Sequence, residues 1–218
     1  MELEWISVRT VDGSQPDLPT LEAVLADAAP APAGSRLTLE PGGQLEVSAP
    51  PFASLADALA AASADAAHLE QAAGRAGITL LARGTVPQAR ERLLDLPRYR
   101  AMEAWYDTRT PAGRSMMRAT AALQVNIDTG PPGRWHAAVG VGPALVAAFA
   151  NSPAPGWKSQ RMGWWMAMDP QYTVRPDDWT TQVLDAPVML MRVSEDDFRA
   201  MTSTRSFRHW IEHGDPLG

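Results

Sequence analysis

The 218-residue sequence contains no cysteine, which excludes a disulfide framework, a thiolate nucleophile and a thiolate metal site. No apolar run approaches the roughly 20 residues a helix needs to cross a bilayer, and no signal peptide opens the chain. The sequence therefore predicts a cytoplasmic protein without a membrane partner. A basic patch is also missing. The net charge is −6 and the Lys and Arg residues are scattered, so there is no electrostatic footprint for nucleic acid. Internal repeats and a clear linker are absent too, and one domain over 1–218 is the expectation. Hydrophobic residues at 45% and charged residues at 20% are ordinary for a soluble globular chain of this length. Tryptophan is abundant, with eight in all. Trp157, Trp164, Trp165, Trp179 and Trp210 fall in the last third, where they predict flat packing surfaces or a pocket wall.

Period and punctuation place the elements. Residues 2–8 alternate, with Glu2, Glu4 and Ile6 on one side of a strand and Leu3, Trp5 and Ser7 on the other. A helix over 18–29 ends at the breaker run 30–34. Two strand arms, 36–39 and 44–48, flank Pro41-Gly42-Gly43 and read as a hairpin. The longest helix spans 54–76, capped by Ser54 and stopped at Gly77, with Leu55, Leu59, Ala62, Ala66, Leu69 and Ala73 on one stripe. Strands follow at 78–82, 119–128 and 188–193, and helices at 98–108, 136–150, 160–168, 178–184 and 206–213. Pro143 is expected to kink or split the helix over 136–150. The mixture predicts an α+β fold with a largely antiparallel sheet covered on one side. Asp177-Asp178 and Glu195-Asp196-Asp197 read as helix caps. His68 and His136 read as structural or solvated. His209 and His213 have metal-ligand spacing on a helix, but a solvated face accounts for them.

Three strands carry acids or amides on one face. In RATAALQVNID (118–128), Thr120, Ala122, Gln124, Asn126 and Asp128 alternate with Ala121, Leu123, Val125 and Ile127. Glu2 and Glu4 repeat the pattern, as do Glu40, Gln44 and Glu46. If these strands share a sheet, their polar faces converge on a cavity with four carboxylates. Clustered carboxylates repel and take up protons unless cations lie between them. Mg²⁺ takes hard oxygen ligands and is usually held by one or two carboxylates with waters and substrate phosphates. Several such acids on facing strands suggest more than one Mg²⁺ with a bound nucleotide.

At these residues the sequence resembles the glutamate–cysteine ligases of the plant and actinobacterial type, above all the actinobacterial enzymes that make γ-glutamylcysteine for ergothioneine synthesis. The matching stretches are ELEW (2–5), EPGGQLEVS (40–48), RYRAM (98–102), SMMRATAALQVNID (115–128), FANSP (149–153), SQRMGWW (159–165), LDAPVM (184–189) and SFRHWI (206–211). They cover nearly the whole chain in the family's order. The resemblance implies an ATP-dependent ligase with a glutamine-synthetase-like sheet, curved and largely antiparallel, with helices on its outer face. In such an enzyme MgATP phosphorylates the γ-carboxylate of glutamate, and the amine of cysteine attacks the acyl phosphate.

By position the resemblance makes Glu2, Glu40, Glu46 and Gln124 ligands of Mg²⁺. Gln44 and Asn126 fall on the nucleotide side. Glu4 and Arg161 are catalytic residues, and Arg161 also grips the glutamate α-carboxylate. Trp165 walls the pocket behind it, and Thr120 hydrogen-bonds the substrate. Two departures stand out. Plant relatives carry an arginine directly before the residue matching Thr120, where this chain has Ala119; Arg118 lies one residue earlier, on the opposite strand face, and is not assigned to substrate. The family also has residues before ELEW and continues past residue 218 with further strands, a metal-binding carboxylate and nucleotide-contacting arginines, so the fold is expected to be incomplete at the C-terminus. Two other readings stay open: a catalytically silent domain of the same fold that keeps a substrate or metal site, and a carboxylate–amine ligase with another acceptor.

Overall fold

The computed structural model describes residues 1–128, 130–168 and 179–214. They fall into two compact units, Met1–Leu93 with Arg118–Arg161, and Leu94–Met117 with Met162–Gly218. The acidic motifs lie in the first.

The centre of that unit is β1 (Glu2–Arg9), which pairs along its length with three different strands. Residues 2–5 pair antiparallel with β3 (Leu45–Ser48), and β3 pairs in turn with β2 (Arg36–Leu39). Residues 6–9 pair with β4 (Ile78–Leu81), while Glu2 and Leu3 also pair with β5 (Leu123–Gln124). All of these pairings are antiparallel, as the alternating sequence requires. Leu3, Trp5, Leu37, Leu39, Leu45 and Val47 therefore share one face, since side chains in register on adjacent strands point the same way.

Two helices cover that apolar face. The first, α1 (Leu18–Ala28), starts at Asp17, whose side chain accepts from the Thr20 N–H. The second, α2 (Leu55–Arg75), is capped by Ser54, which accepts from the Asp57 N–H, and the chain leaves it through Gly77 at φ +70°. Leu21, Val24, Leu69, Ala72 and Ala73 from these helices meet Trp5, Leu45, Val47 and Ile78 from the sheet in one core. Each fully buried Leu or Val there contributes about 1.5–3 kcal/mol. The buried stripe of α2 is Ala61, Ala62, Asp65, Leu69, Ala72 and Ala73. Leu55 and Leu59, placed on that stripe by periodicity, are 63% and 45% exposed, because burial in α2 begins only at its seventh residue.

Asp65 is an acid in this apolar seam. It is fully buried, and its carboxylate accepts from the Ala33 N–H (2.6 Å) and the Ser35 N–H (3.0 Å). Burial alone would raise its pKa; the donors from Ser35 and Ala33 overcome that and hold the carboxyl below its ordinary value. Asp65 thereby closes the loop between α1 and β2 onto α2.

The strand expected over 119–128 is mostly not one. Residues 119–121 pair across to 84–86, with a bridge between Thr85 and Thr120. Leu123 and Gln124 then pair with β1, but Gln124 stands opposite Glu2, the first residue of that strand. Residues 125–128 then leave the sheet. Leu123, Val125 and Ile127 are 62%, 53% and 69% exposed. α5 (Pro132–Phe149) follows as one continuous helix with Pro143 inside it, beginning four residues before the expected start at His136.

The second unit holds α3 (Pro97–Asp107), α4 (Ala112–Arg118, its last residue counted with the first unit), α6 (Gln160–Met168, from Met162 on), α7 (Trp179–Asp185) and α8 (Phe207–His213). Its core gathers Trp105, Tyr106, Ala112 and Met168, with Met102, Met116, Met117, Trp164, Met189 and Met201 against them. β6 (Leu190–Arg192) and β7 (Phe198–Ala200) form a hairpin. The acids at 195–197 therefore sit in a hairpin turn and cap no helix: the Asp197 carbonyl accepts from Val193, and its carboxylate pairs with Arg199. Asp177 and Asp178 lie outside the described residues. No described helix is long and apolar enough to cross a membrane.

Candidate active site

The face of the sheet opposite the helices is polar, and its membership follows from register. Glu4 stands opposite Glu46, Glu2 opposite Ser48 and Gln124, and Thr38 opposite Glu46. Glu40, which follows β2, donates its N–H to the Gln44 carbonyl across the turn. Glu2, Glu4, Glu40, Glu46 and Gln124, which the sequence placed on three separate segments, are thus carried by neighbouring strands of one sheet.

The carboxylates are held by hydrogen bonds. Glu46 is 9% exposed and accepts from the Thr38 and Ser48 hydroxyls on one oxygen. Glu4 accepts from the Ala122 N–H on one oxygen (2.9 Å) and from the Gln124 amide on the other (2.9 Å). Asn126 donates to Glu2 at 3.3 Å. Burial pushes the Glu4 carboxyl above its ordinary range. The Ala122 N–H pulls it down, the Glu46 carboxylate pushes it up again, and the Gln124 amide and Arg161 guanidinium pull it down without cancelling the rise. Two acids in register on paired strands carry this electrostatic cost in the free protein.

Arg161 carries a positive charge that lowers the Glu4 pKa. It stands in the first turn of α6, where its N–H donates to the Ser152 hydroxyl at 3.3 Å. Its side-chain Nε is buried and has no hydrogen-bond partner among the described residues. A buried guanidinium N–H without an acceptor costs free energy that an anionic ligand would recover.

Three further sequence-assigned residues have the following surroundings. Gln44 is 2% exposed and its amide donates to the Thr120 carbonyl at 2.8 Å, so it acts beneath the face. Thr120 is itself buried, in the bridge to Thr85. Trp165 belongs to the second unit, where it lines an apolar pocket with Tyr106, Met168, Met189, Leu190 and Phe207. Thr38 and Ser48 were missed as members of the face, although their strand parity would have found them. His209 and His213 stack at 4.3 Å between ring centroids, and among the described residues no three carboxylate or imidazole groups converge on one point. Mg²⁺ does not need three: one or two carboxylates with waters and phosphate oxygens suffice, and this face offers hard oxygen donors in that number.

The turn between Glu40 and Gln44 is specified as tightly as the acids. Gly43 takes φ +76°, a conformation that glycine alone enters freely. A β-carbon on Gly42 would overlap the main chain of Arg118. Gly42→Ala is therefore expected to destabilise the protein by about 1–3 kcal/mol, the range for overpacking a closed site. Thermal denaturation checks this; an unchanged midpoint would show that the main chain at Arg118, the end of α4, yields.

The fold and this face define an α+β chain that offers oxygen donors and a cation, with no thiolate, to whatever it holds. A family model for glutamate–cysteine ligase family 2 (GCS2) matches residues 1–213, and the chain belongs to that family. It is 37% identical over 225 residues to glutamate–cysteine ligase EgtA of Mycolicibacterium smegmatis, covering 94% of this chain and 53% of that relative. It is 35% identical to glutamate–cysteine ligase EgtA of Mycobacterium tuberculosis (strain H37Rv), covering 91% of this chain and 51% of the relative. A chloroplastic glutamate–cysteine ligase of Brassica juncea is 29% identical over 74% of this chain and 31% of its own length. The chain spans about half the length of the two mycobacterial relatives.

Proposed function

We propose that this chain supplies the acidic sheet and the glutamate-binding arginine of an ATP-dependent glutamate–cysteine ligase that forms γ-glutamylcysteine, the ergothioneine-pathway product. The observation that carries the reading is the set of acids and amides on paired strands, with the Arg161 charge acting on Glu4. In this reading the sheet is part of a glutamine-synthetase-like fold, and the protein works in the cytoplasm on small molecules.

Glu2, Glu40, Glu46 and Gln124 would hold more than one Mg²⁺, with one or two carboxylates to each, and the ions when bound would neutralise phosphate charge during transfer. Asn126 lies beside Glu2, where it orients that carboxylate and borders the nucleotide. Arg161 binds the α-carboxylate of glutamate through its planar fork. Its charge and that of Glu4 offset one another, which keeps the Glu4 carboxyl closer to its ionised form beside the substrate. Gln44 fixes the Thr120 main chain, and Thr120 borders the substrate. With glutamate held, its γ-carboxylate oxygen attacks the γ-phosphorus of ATP and ADP leaves. The amine of cysteine then attacks the acyl carbon, the C–O bond to phosphate breaks, phosphate departs with the electron pair, and the nitrogen loses a proton.

The test is phosphate release from ATP with Mg²⁺, with glutamate alone and with glutamate plus cysteine. It is run on this chain and on this chain joined to the unmatched remainder of the M. smegmatis relative. Release that needs glutamate and rises with cysteine in the joined protein is expected. No release from the joined protein with any amine acceptor overturns the reading.

A further inference from the structure

The Pro41–Gly43 turn, which sets Glu40, Gln44 and Glu46 on the acidic face, is gripped from outside the sheet by a residue that no motif contains. Arg90 is 7% exposed. Its Nε and Nη2 donate to the Gly42 carbonyl at 3.2 and 2.9 Å, and Nη2 also donates to the Ser7 carbonyl of β1 at 3.0 Å. Burial lowers its pKa to about 10, which leaves it charged at neutral pH. A desolvated cation is tolerated only where its donors are met, and here main-chain carbonyls of two different segments meet them.

The grip is reinforced on both sides. The Gln15 amide donates to the same Gly42 carbonyl at 3.1 Å and to the Glu91 carbonyl at 2.9 Å, and it accepts from the Glu91 N–H at 2.8 Å. The Leu93 N–H donates to the Pro41 carbonyl at 2.7 Å. Arg118 donates to the Arg90 carbonyl at 3.3 Å, while its own main chain closes the space beside Gly42. Residues 90–93 thus run along the turn as a strap, with the Arg90 guanidinium joining the turn to β1.

We propose that Arg90 is a positioning residue for cation binding on the acidic face: by fixing the Gly42 carbonyl against β1 it holds the turn that sets Glu40 and Glu46 beside the acids of β1. The inference rests on the proposed Mg²⁺ reading. Lysine cannot replace arginine in this role, because a single ammonium lacks the rigid fork that reaches two diverging carbonyls.

The test compares wild type with Arg90→Lys, Gln15→Met and Glu46→Gln by amide hydrogen exchange and by Mn²⁺ titration on the intact chain. The Glu40, Gly43 and Leu93 N–H groups report on the turn, and amides within 18–28 and 55–75 report on the core. For Arg90→Lys, turn amides are expected to exchange at least 10-fold faster with core amides unchanged, and Mn²⁺ to bind at least 10-fold more weakly. Gln15→Met, which keeps the buried cation and removes one donor, should move both readouts the same way by a smaller factor. Unchanged turn exchange in Arg90→Lys overturns the grip. Faster exchange with wild-type Mn²⁺ affinity overturns the positioning role and leaves a purely structural one. Uniformly faster exchange in both variants also overturns it. If wild type binds no Mn²⁺ that Glu46→Gln removes, the Mg²⁺ reading itself fails and this inference falls with it.

Discussion

Replacing Glu46 with glutamine is expected to weaken Mn²⁺ or Mg²⁺ binding by at least about 100-fold, above the loss typical of a residue that only orients a ligand, while the melting midpoint stays level or rises. The two halves of that result have one cause. The Glu46 carboxylate stands opposite Glu4 and pushes its pKa up, so neutralising it relieves repulsion in the free protein. Glutamine keeps an oxygen that can accept from Thr38 and Ser48, so the hydrogen bonds around it survive. A residue retained for packing would behave in the opposite way, with a lower midpoint and unchanged binding. Isothermal titration with Mn²⁺ and a thermal melt separate the two; wild-type affinity in the variant would remove Glu46 from the metal site.

Asp65 gives the second large effect, on stability alone. Asp65→Ala removes the acceptor of two main-chain N–H groups, at Ala33 and Ser35, inside a closed seam. Charge-assisted hydrogen bonds are worth about 1.5–3 kcal/mol each, so a loss of about 3 kcal/mol or more is expected. For a chain of this size that lowers the melting midpoint by about 6–12 °C. The pH dependence has a definite sign. The folded-state pKa of Asp65 lies below its ordinary value, so its contribution is complete above the unfolded pKa of about 3.9. It is lost as pH falls through the folded value. The gap between wild type and Asp65→Asn should therefore be constant near neutral pH and narrow below about pH 4. A gap independent of pH down to acid unfolding would show that the charge plays no part.

Much of the first unit was legible because its sequence obeys strong local rules. Alternation in β1 and β3, the Pro-Gly-Gly turn and the capped α2 each had one reading, and face membership followed from parity once the strands paired. What escaped depended on where one element ends against another. The strand read over 119–128 pairs with β1 only at Leu123 and Gln124, after residues 119–121 have paired with 84–86. Leu55 and Leu59 match the helical stripe, but the buried part of α2 starts after them. The strand read over 188–193 contains β6, but its return strand β7 went unread and the acids of the turn at 195–197 were read as helix caps, because segments this short have too few residues to show a period. Arg90 and Asp65 had no signature at all: a buried ion held by main-chain groups is specified by loops that only the folded chain brings near.

The sequence separations across the acidic face set an order of assembly. Thr38 and Glu46 meet across 8 residues, so the hairpin that carries Glu40, Gln44 and Glu46 closes locally and at small entropic cost. Glu4 and Gln124 meet across 120 residues, and Glu2 and Asn126 across 124. Those contacts require the longest loop closures described in the unit, and hydrogen bonds with exposed partners return little for them. The hydrocarbon core between sheet and helices must then be in place first. The acids draw together last, so their mutual repulsion falls after the rate-limiting step: it leaves the folding rate unchanged, speeds unfolding, and raises the affinity of Glu4 for a proton.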